Sequence, residues 1–344
     1  MAMSKQKNKI LLVGSLPNKY PNSIGGATML FKNLVDYCNE NQQQHSLLTS
    51  NLFNFRLYSV PDILRVYCLG FFKLLFADVA MINVSGRGIS WVAPYFILLG
   101  KIFDKKIIIR VFGGNLAETF DVTEGRKKKV LAWVIKNAHV LFVETKILVN
   151  YFEPHNPNTK WLPNVREPIV SNTQKTSFSK RFIFLGQIKK SKGIDQLLAV
   201  KARLNKDYEL HLYGPILDNK YDSLEASIYK GILRKEQVAG ILQQYDVLIL
   251  PTFWKGEGYP GVIIEGYALG LPCITTRWKA IPEIVDEGKT GLLITPKSVD
   301  ELYEAILHFD EKNYPAMSDA ARQKFSKFNS EEVNAELLSL LHHI

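Results

Sequence analysis

The sequence predicts an α/β protein of two Rossmann-like domains, each built on a doubly wound parallel sheet, and three observations predict it. Short apolar runs alternate with helix-like stretches, the rhythm of βαβ units. That rhythm runs once, breaks at a polar segment and starts again. The length of 344 residues also suits two cores of ordinary size better than one.

The first series of strand-like runs falls at 10–13, 79–84, 107–111 and 140–143, and the second at 181–185, 209–213, 247–250 and 272–275. Between them lie the loop Trp161-Leu162-Pro163-Asn164 and a stretch at 171–180 rich in Ser, Thr and Lys, the expected linker. The expected division is therefore 1–170, 171–328 and a C-terminal helix over 329–344. That helix carries Val333, Leu337, Leu338, Leu340 and Leu341 on a broad apolar face that needs a partner. No repeat of period 20–50 and no low-complexity tract occurs, which excludes solenoids.

Composition narrows the class. Hydrophobic residues make up 47% and charged residues 22%, as in a soluble globular chain. Cys38, Cys68 and Cys273 are far apart and form no CxxC or Cys/His cluster, which argues against structural zinc and a disulfide framework. Residues 1–9 are polar and lead into an apolar run far shorter than a signal-peptide core, so the expected location is the cytoplasm.

The net charge of +10 is uneven: residues 1–170 hold 21 Lys/Arg against 11 Asp/Glu, and the rest hold 22 against 22. Lys101, Lys105, Lys106, Arg126, Lys127, Lys128, Lys129 and Lys136 dominate the excess, either as solvated helix faces or as a field that attracts phospholipid headgroups or polyphosphates. Nucleic acid is not the expected partner, because interleaved aromatics and module signatures are missing. The apolar segments 63–76 and 91–103 are interrupted or flanked by charge and are shorter than the roughly 20 residues that span a bilayer. Phe71, Phe72, Leu74, Leu75 and Phe76 suit either a lipid interface or the cover of the N-terminal sheet.

The chemistry concentrates in 246–294. A strand ends at Pro251-Thr252, a loop carries Glu257-Gly258-Tyr259-Pro260, and a helix is expected over 261–269, stopping at Gly270. Open parallel sheets bind ligands at the carboxyl ends of their strands, and helix N-termini there offer N–H groups to anions. The amides of Gly261, Val262 and Ile263 are thus candidates for a phosphate, and Pro260 suits the first helical turn. Glu257 and Glu265 stand either side of this anion site, where a carboxylate repels phosphate. They make sense if they accept hydrogen bonds from sugar hydroxyls on both sides of a diphosphate, the layout of a nucleotide sugar. Compensating charge is expected from Lys192 in Gly186-Gln187-Ile188-Lys189-Lys190-Ser191-Lys192-Gly193, a glycine-bounded loop after the first strand of the second series.

The stretch 257–265, with Gly270-Leu271-Pro272, Ile281-Pro282-Glu283-Ile284-Val285 and Gly291-Leu292-Leu293, resembles the signature of family 4 retaining glycosyltransferases of the GT-B fold, of the bacterial polysaccharide and lipid-linked saccharide type. Gly25-Gly26, Pro163-Asn164, Leu185-Gly186, Lys192-Gly193 and Tyr213-Gly214-Pro215 support it in the right order along about 10–340. The resemblance implies that Glu257 and Lys192 are catalytic, that Glu257 holds the donor sugar and Glu265 the ribose, and that Lys192 with the Gly261 and Val262 amides holds the diphosphate. Gly25, Gly26, Gly186, Gln187, Tyr213, Gly214, Gly258, Tyr259 and Pro260 complete the implied donor site, with Lys230 near the nucleobase. Gly113, Gly114 and Asn115 are the expected acceptor residues, while Asn115, Glu118 and Asp121 suit either acceptor binding or the capping of a helix. His211 reads as a packed residue.

Three departures from the family pattern stand out: Gln187 where many members carry arginine, Phe112 where histidine is common, and Lys279-Ala280 where glycines are usual. No Asp-X-Asp occurs, so a metal-independent reaction with no cofactor is expected. The implied activity is retaining transfer of a hexose from a nucleoside-diphosphate sugar to a saccharide acceptor, and the basic first half with its aromatic segments points to a lipid-linked acceptor at the anionic inner face of a membrane. The acceptor hydroxyl then attacks the face that the leaving group vacates. The alternative motivated by Gln187 and Phe112 is a non-catalytic sugar-nucleotide-binding subunit of a glycosyltransferase assembly.

Overall fold

The computed structural model describes residues 8–18, 25–51, 60–85, 88–169 and 177–344; the expectations for 1–7 and for most of the linker at 171–180 lie outside them. Internal contacts divide the chain into two units, Met1–Asn164 with Ser330–Ile344, and Val165–Asn329.

In the first unit the order is β1 (Ile10–Gly14), α1 (Gly26–Glu40), β2 (His45–Thr49), α2 (Val60–Leu75), β3 (Val79–Val84), α3 (Gly88–Ile102), β4 (Lys106–Val111), α4 (Leu116–Val122), α5 (Gly125–Asn137), β5 (Val140–Val143), α6 (Lys146–Phe152) and β6 (Thr159–Trp161). The six strands pair in parallel in the order β2-β1-β3-β4-β5-β6. Every residue of β1, β3 and β5 is buried, as in a sheet covered on both faces. The sequence reading found four of these strands and missed two. β2 is a half-exposed edge that starts His45-Ser46, and β6 is three residues long, so neither makes an apolar run.

One face of this sheet is covered by α2, α3 and α5. The inner sides of α2 and α3 bury Val66, Leu74, Val92, Phe96 and Ile97. Between the two helices Tyr67 stacks on Tyr95 at 4.3 Å, and Phe71 meets Phe103 edge-on. Their outer sides leave Phe72 60%, Phe76 77% and Trp91 61% exposed. The aromatic segment therefore does both things expected of it: Phe71 and Leu74 pack on the core, while Phe72 and Phe76 face outward. Among the described residues no helix is long and apolar enough to cross a membrane.

The second unit runs β7 (Arg181–Leu185), α7 (Ile194–Arg203), β8 (Glu209–Tyr213), α8 (Lys235–Leu242), β9 (Val247–Leu250), α9 (Gly261–Ala268), β10 (Cys273–Thr276), β11 (Gly291–Ile294), α10 (Val299–His308) and α11 (Tyr314–Lys324). Its strands are parallel in the order β11-β10-β9-β7-β8. Because β8 lies on one side of β7 and β9 on the other, the connections after β7 and β9 part in opposite directions. This is the switch point at which an open α/β sheet leaves a crevice for a ligand.

The last helix, α12 (Ser330–His343), returns to the first unit. Its Leu337, Leu338 and Leu341 are buried with Phe31, Leu34 and Val35 of α1 against Leu12, Met81 and Ile108 of the sheet. Asn334 adds a 2.9 Å hydrogen bond from its Nδ2 to Asn33 Oδ1. All three cysteines are free, with Cys38 and Cys273 buried.

Candidate active site

The loops that leave β7 and β9 meet at the switch point of the second unit. After β7 the chain makes a single 3-10 turn, Lys190–Lys192, and enters α7 through Gly193 at φ +80°. A Cβ on Gly193 would sit 2.3 Å from the Pro251 carbonyl oxygen, so only glycine lets the two loops close this far. The Phe253 N–H donates to the Ser191 carbonyl at 2.9 Å and ties them together. Gly214 plays a similar part beside β8: at φ +134°, a Cβ there would lie 1.9 Å from the Gly186 carbonyl oxygen.

This closure brings together Lys192 and Glu257, which are 65 residues apart in sequence. Lys192 Nζ stands 2.5 Å from Glu257 Oε2, with side chains only 12% and 7% exposed. The fully buried Thr252 donates its hydroxyl to the same Oε2 at 2.7 Å. Trp254 is the third component, with the Lys189 and Lys192 ammonium groups 4.5 Å and 5.0 Å from its ring centre. Burial, and then repulsion from Lys192, push the Lys189 pKa down, while Glu257 pulls it up. Gln187 and Lys190, by contrast, are exposed on the same loop. Lys189 is thus the residue that adds a second positive charge beside Lys192, where Gln187 has none to offer.

Past Glu257 the chain enters α9. The helix begins at Gly261, as the sequence places it, but Pro260 is the N-cap, with ψ 114°, and not a residue of the first turn. The Ile263 N–H is taken by the Pro260 carbonyl at 3.1 Å. Of the three amides expected at a phosphate, Gly261 and Val262 are therefore the ones that helix geometry leaves without an intrahelical acceptor. Tyr259 is 3% exposed, and its hydroxyl donates to Glu283. Its ring lies edge-on to Phe328, so it anchors the loop from below.

Glu265, one turn into α9, is paired with Arg166 at 2.6 Å. Two further links brace the Glu257 loop: Trp278 Nε1 donates to the Trp254 carbonyl at 2.8 Å, and the Lys279 ammonium to the Lys255 carbonyl. Lys279 adopts φ +47°, left-handed backbone that glycine takes more readily, which fits its place at a position where glycine is usual.

Tyr213 and Tyr245 share a hydroxyl contact at 3.3 Å, and Tyr245 also bonds His211 Nδ1 at 2.8 Å, which makes His211 part of a packed network. The segment Tyr229-Lys230-Gly231 runs beside β8, with the Gly214 N–H on the Gly231 carbonyl and the Tyr229 hydroxyl on the Gly214 carbonyl. Lys230 itself is exposed, its ammonium on the Ala226 carbonyl.

The remaining candidates lie in the first unit. Gly25 is the N-cap of α1, its N–H on Thr28 Oγ1 at 3.0 Å, and a Cβ on Gly25 or Gly26 would meet no described atom within 4 Å. Gly113 follows β4 at φ +100° and donates its N–H to Glu144 Oε2 at 3.0 Å, while Asn115 occupies the N-cap position of α4 without a side-chain capping bond. Beneath them Arg110 is buried, its guanidinium 4.8 Å from the Phe112 ring centre, and burial lowers its pKa to about 10 against the opposing pull of Glu144. Glu118 is exposed in the first turn of α4, and Asp121 accepts the Tyr151 hydroxyl. Among the described residues no group of His, Cys, Asp and Glu is arranged to hold a metal.

Residues 179–311 match the glycosyl transferases group 1 family model. That segment belongs to this family. Among curated proteins the chain is 25% identical over 199 residues to an uncharacterized 41.2 kDa protein in the cps region of Klebsiella pneumoniae, covering 56% of this chain and 54% of the relative. It is 30% identical over 122 residues to the putative colanic acid biosynthesis glycosyltransferase WcaL of Salmonella typhimurium, covering 33% of this chain and 30% of the relative. The chain thus spans about half and about a third of the lengths of these two relatives. Among solved structures it is similar to HepE of Anabaena in complex with UDP-glucose, with a TM-score of 0.70 and 13% identity, covering 97% of this chain and 100% of that one. The fold is therefore GT-B, with two parallel α/β units of six and five strands.

Arg166, Thr252 and Trp254 were missed by sequence reasoning as site residues. Thr252 and Trp254 follow the carboxyl end of β9, a place that could have flagged them. Arg166 had no such signal, since its partner lies 99 residues away.

Gly193→Ala tests the closure of the two loops. It should destabilise the chain by about 2 kcal/mol or more through backbone strain and the clash with Pro251, read as a lowered urea midpoint. An unchanged midpoint would mean that the loops tolerate a wider gap.

Proposed function

We propose that this chain is a retaining glycosyltransferase that moves a hexose from a nucleoside-diphosphate sugar to a saccharide acceptor in cell-surface polysaccharide synthesis. The observation that carries the reading is the pairing of Lys192 with Glu257 at the switch point, with Lys189 alongside. A nearly buried ammonium and carboxylate in contact is a costly arrangement to keep for stability alone. It serves a ligand that is both anionic and hydroxylated. Lys192 and Lys189 face the diphosphate with the Gly261 and Val262 amides, and Glu257 accepts hydroxyls of the transferred sugar.

As the bond from the anomeric carbon to the phosphate oxygen breaks, negative charge grows on the leaving diphosphate. The ammonium groups and the N-terminal end of α9 stabilise that charge without a metal ion. Glu257 holds the cationic sugar in place while the acceptor hydroxyl attacks the vacated face and passes its proton to the departing phosphate. Glu265 takes the ribose hydroxyls. The relatives named for the cps region and for colanic acid biosynthesis, and HepE with its UDP-glucose, support a UDP-sugar donor and a polysaccharide product. Gly113, Gly114 and Asn115 are the residues we assign to the acceptor.

The acceptor is lipid-linked in this reading, and the chain works at an anionic membrane face. Phe72, Phe76 and Trp91 face outward from α2 and α3, and the basic Lys101, Arg126, Lys127 and Lys129 are exposed on α3 and α5, on the same side of the sheet. Apolar insertion combined with headgroup attraction is how a peripheral protein holds a bilayer.

Incubation of the purified chain with UDP-glucose should give slow hydrolysis, unaffected by EDTA, and Glu257→Ala should reduce it at least a hundredfold with the circular dichroism spectrum unchanged. Nucleotide binding without turnover for any of the UDP-, GDP- and ADP-sugars would favour the non-catalytic binding subunit instead. Vesicles containing phosphatidylglycerol should sediment the wild-type chain, and Phe72→Ser with Phe76→Ser should release most of it. Equal sedimentation with neutral phosphatidylcholine vesicles would remove the electrostatic part of the membrane reading.

A further inference from the structure

Arg166 is anchored twice through its own backbone. Its N–H donates to the Phe328 carbonyl at 2.9 Å, and it forms a parallel bridge with Asn329. From that fixed base its Nε reaches Glu265 Oε1 at 2.6 Å, and its Nη1 donates to the Val165 carbonyl at 2.9 Å. Its Nη2 lies against the first residue of α9, where a Cβ on Gly261 would come within 1.6 Å of it. Gly261 and Glu265 are four apart and share one face of the helix, so the guanidinium lies along α9 between them.

Stability gives little reason for this arrangement. Both side chains are 28% exposed, so solvent screens part of the attraction between them. Two features point to a ligand-directed role. The pair holds the carboxylate through Oε1, and that bond leaves the accepting capacity of Oε2 unused. It also places a positive charge beside a carboxylate that would repel a neighbouring diphosphate.

We propose that Arg166 is a positioning residue for the nucleoside: by holding Glu265 in one orientation it presents the carboxylate to the ribose hydroxyls. This rests on the donor reading given above. Arg166 acts on the ribose through Glu265 and makes no phosphate contact of its own. A side chain at Gly261 would have to displace the guanidinium, whose Nη2 lies within 1.6 Å of a Cβ there.

Calorimetric titration tests it, using whichever of UDP, GDP and ADP the wild-type chain binds, together with the matching nucleoside. Arg166→Gln should weaken the nucleoside roughly tenfold, the equivalent of about 1.4 kcal/mol, and the nucleotide by at least that factor. The double variant Arg166→Gln with Glu265→Gln should bind no more weakly than Glu265→Gln alone. Gly261→Ala, which keeps both partners, should also weaken the nucleoside. A thermal melt within a few degrees of wild type would show that the fold is kept.

Loss of nucleotide affinity with nucleoside affinity intact would overturn the proposal in favour of a direct phosphate contact. Unchanged or tighter binding by Arg166→Gln would overturn it too, the latter marking the arginine as a competitor for Glu265. Failure of the wild-type chain to bind any of the three nucleotides would defeat the donor reading itself, and this proposal with it.

Discussion

The contact between Lys192 and Glu257 sets the terms for the second unit. A carboxylate and an ammonium, each nearly buried, must find each other from two loops 65 residues apart, or each is left as an uncompensated charge. The features around them meet this demand. Parallel strands β7 and β9 lie side by side so that their loops leave from adjacent points, Gly193 lets the backbones close, and Thr252 satisfies the oxygen that Lys192 also holds. The same proximity makes the pair adaptable, since an incoming anion can share the ammonium and leave the carboxylate to hydroxyl groups.

The charge distribution at this site follows an electrostatic logic. Glu257 and Glu265 are a liability next to phosphate, and each is matched by a cation: Lys192 for the first and Arg166 for the second. Lys189 then adds positive charge on the face of Trp254, and its depressed pKa reflects first its burial and then repulsion from Lys192. A dianionic ligand relieves that repulsion. Trp254 gains a role from the same geometry, as an electron-rich surface that tolerates two cations.

Much of this was legible in the sequence, for a physical reason in each case. β1, β3, β4 and β5 are central strands covered on both faces, so they read as mainly apolar runs, interrupted at Asn83 and Arg110, whereas β2 sits at an edge and β6 is too short to form a pattern. Lys192, Glu257 and the start of α9 were legible because they follow strand ends, where parallel sheets expose their loops. Arg166 was not, because its role comes from a pairing with Phe328 and Asn329 that has no local periodicity. Pro260 was misplaced by one position, since proline is accepted both just before a helix and in its first turn. The segment 63–76 left two readings open because an amphipathic helix on a sheet surface and one at a bilayer share a composition. Only burial separates Leu74 from Phe76.

A crystal structure of the chain soaked with a 2-fluoro analogue of its nucleotide sugar is the most direct test of the electrostatic account. The account predicts the diphosphate within hydrogen-bond distance of Lys192 Nζ and the Gly261 and Val262 amides, with a sugar hydroxyl on Glu257. A nucleotide bound elsewhere, with Lys192 and Glu257 still only 2.5 Å apart and the α9 amides facing water, would contradict it.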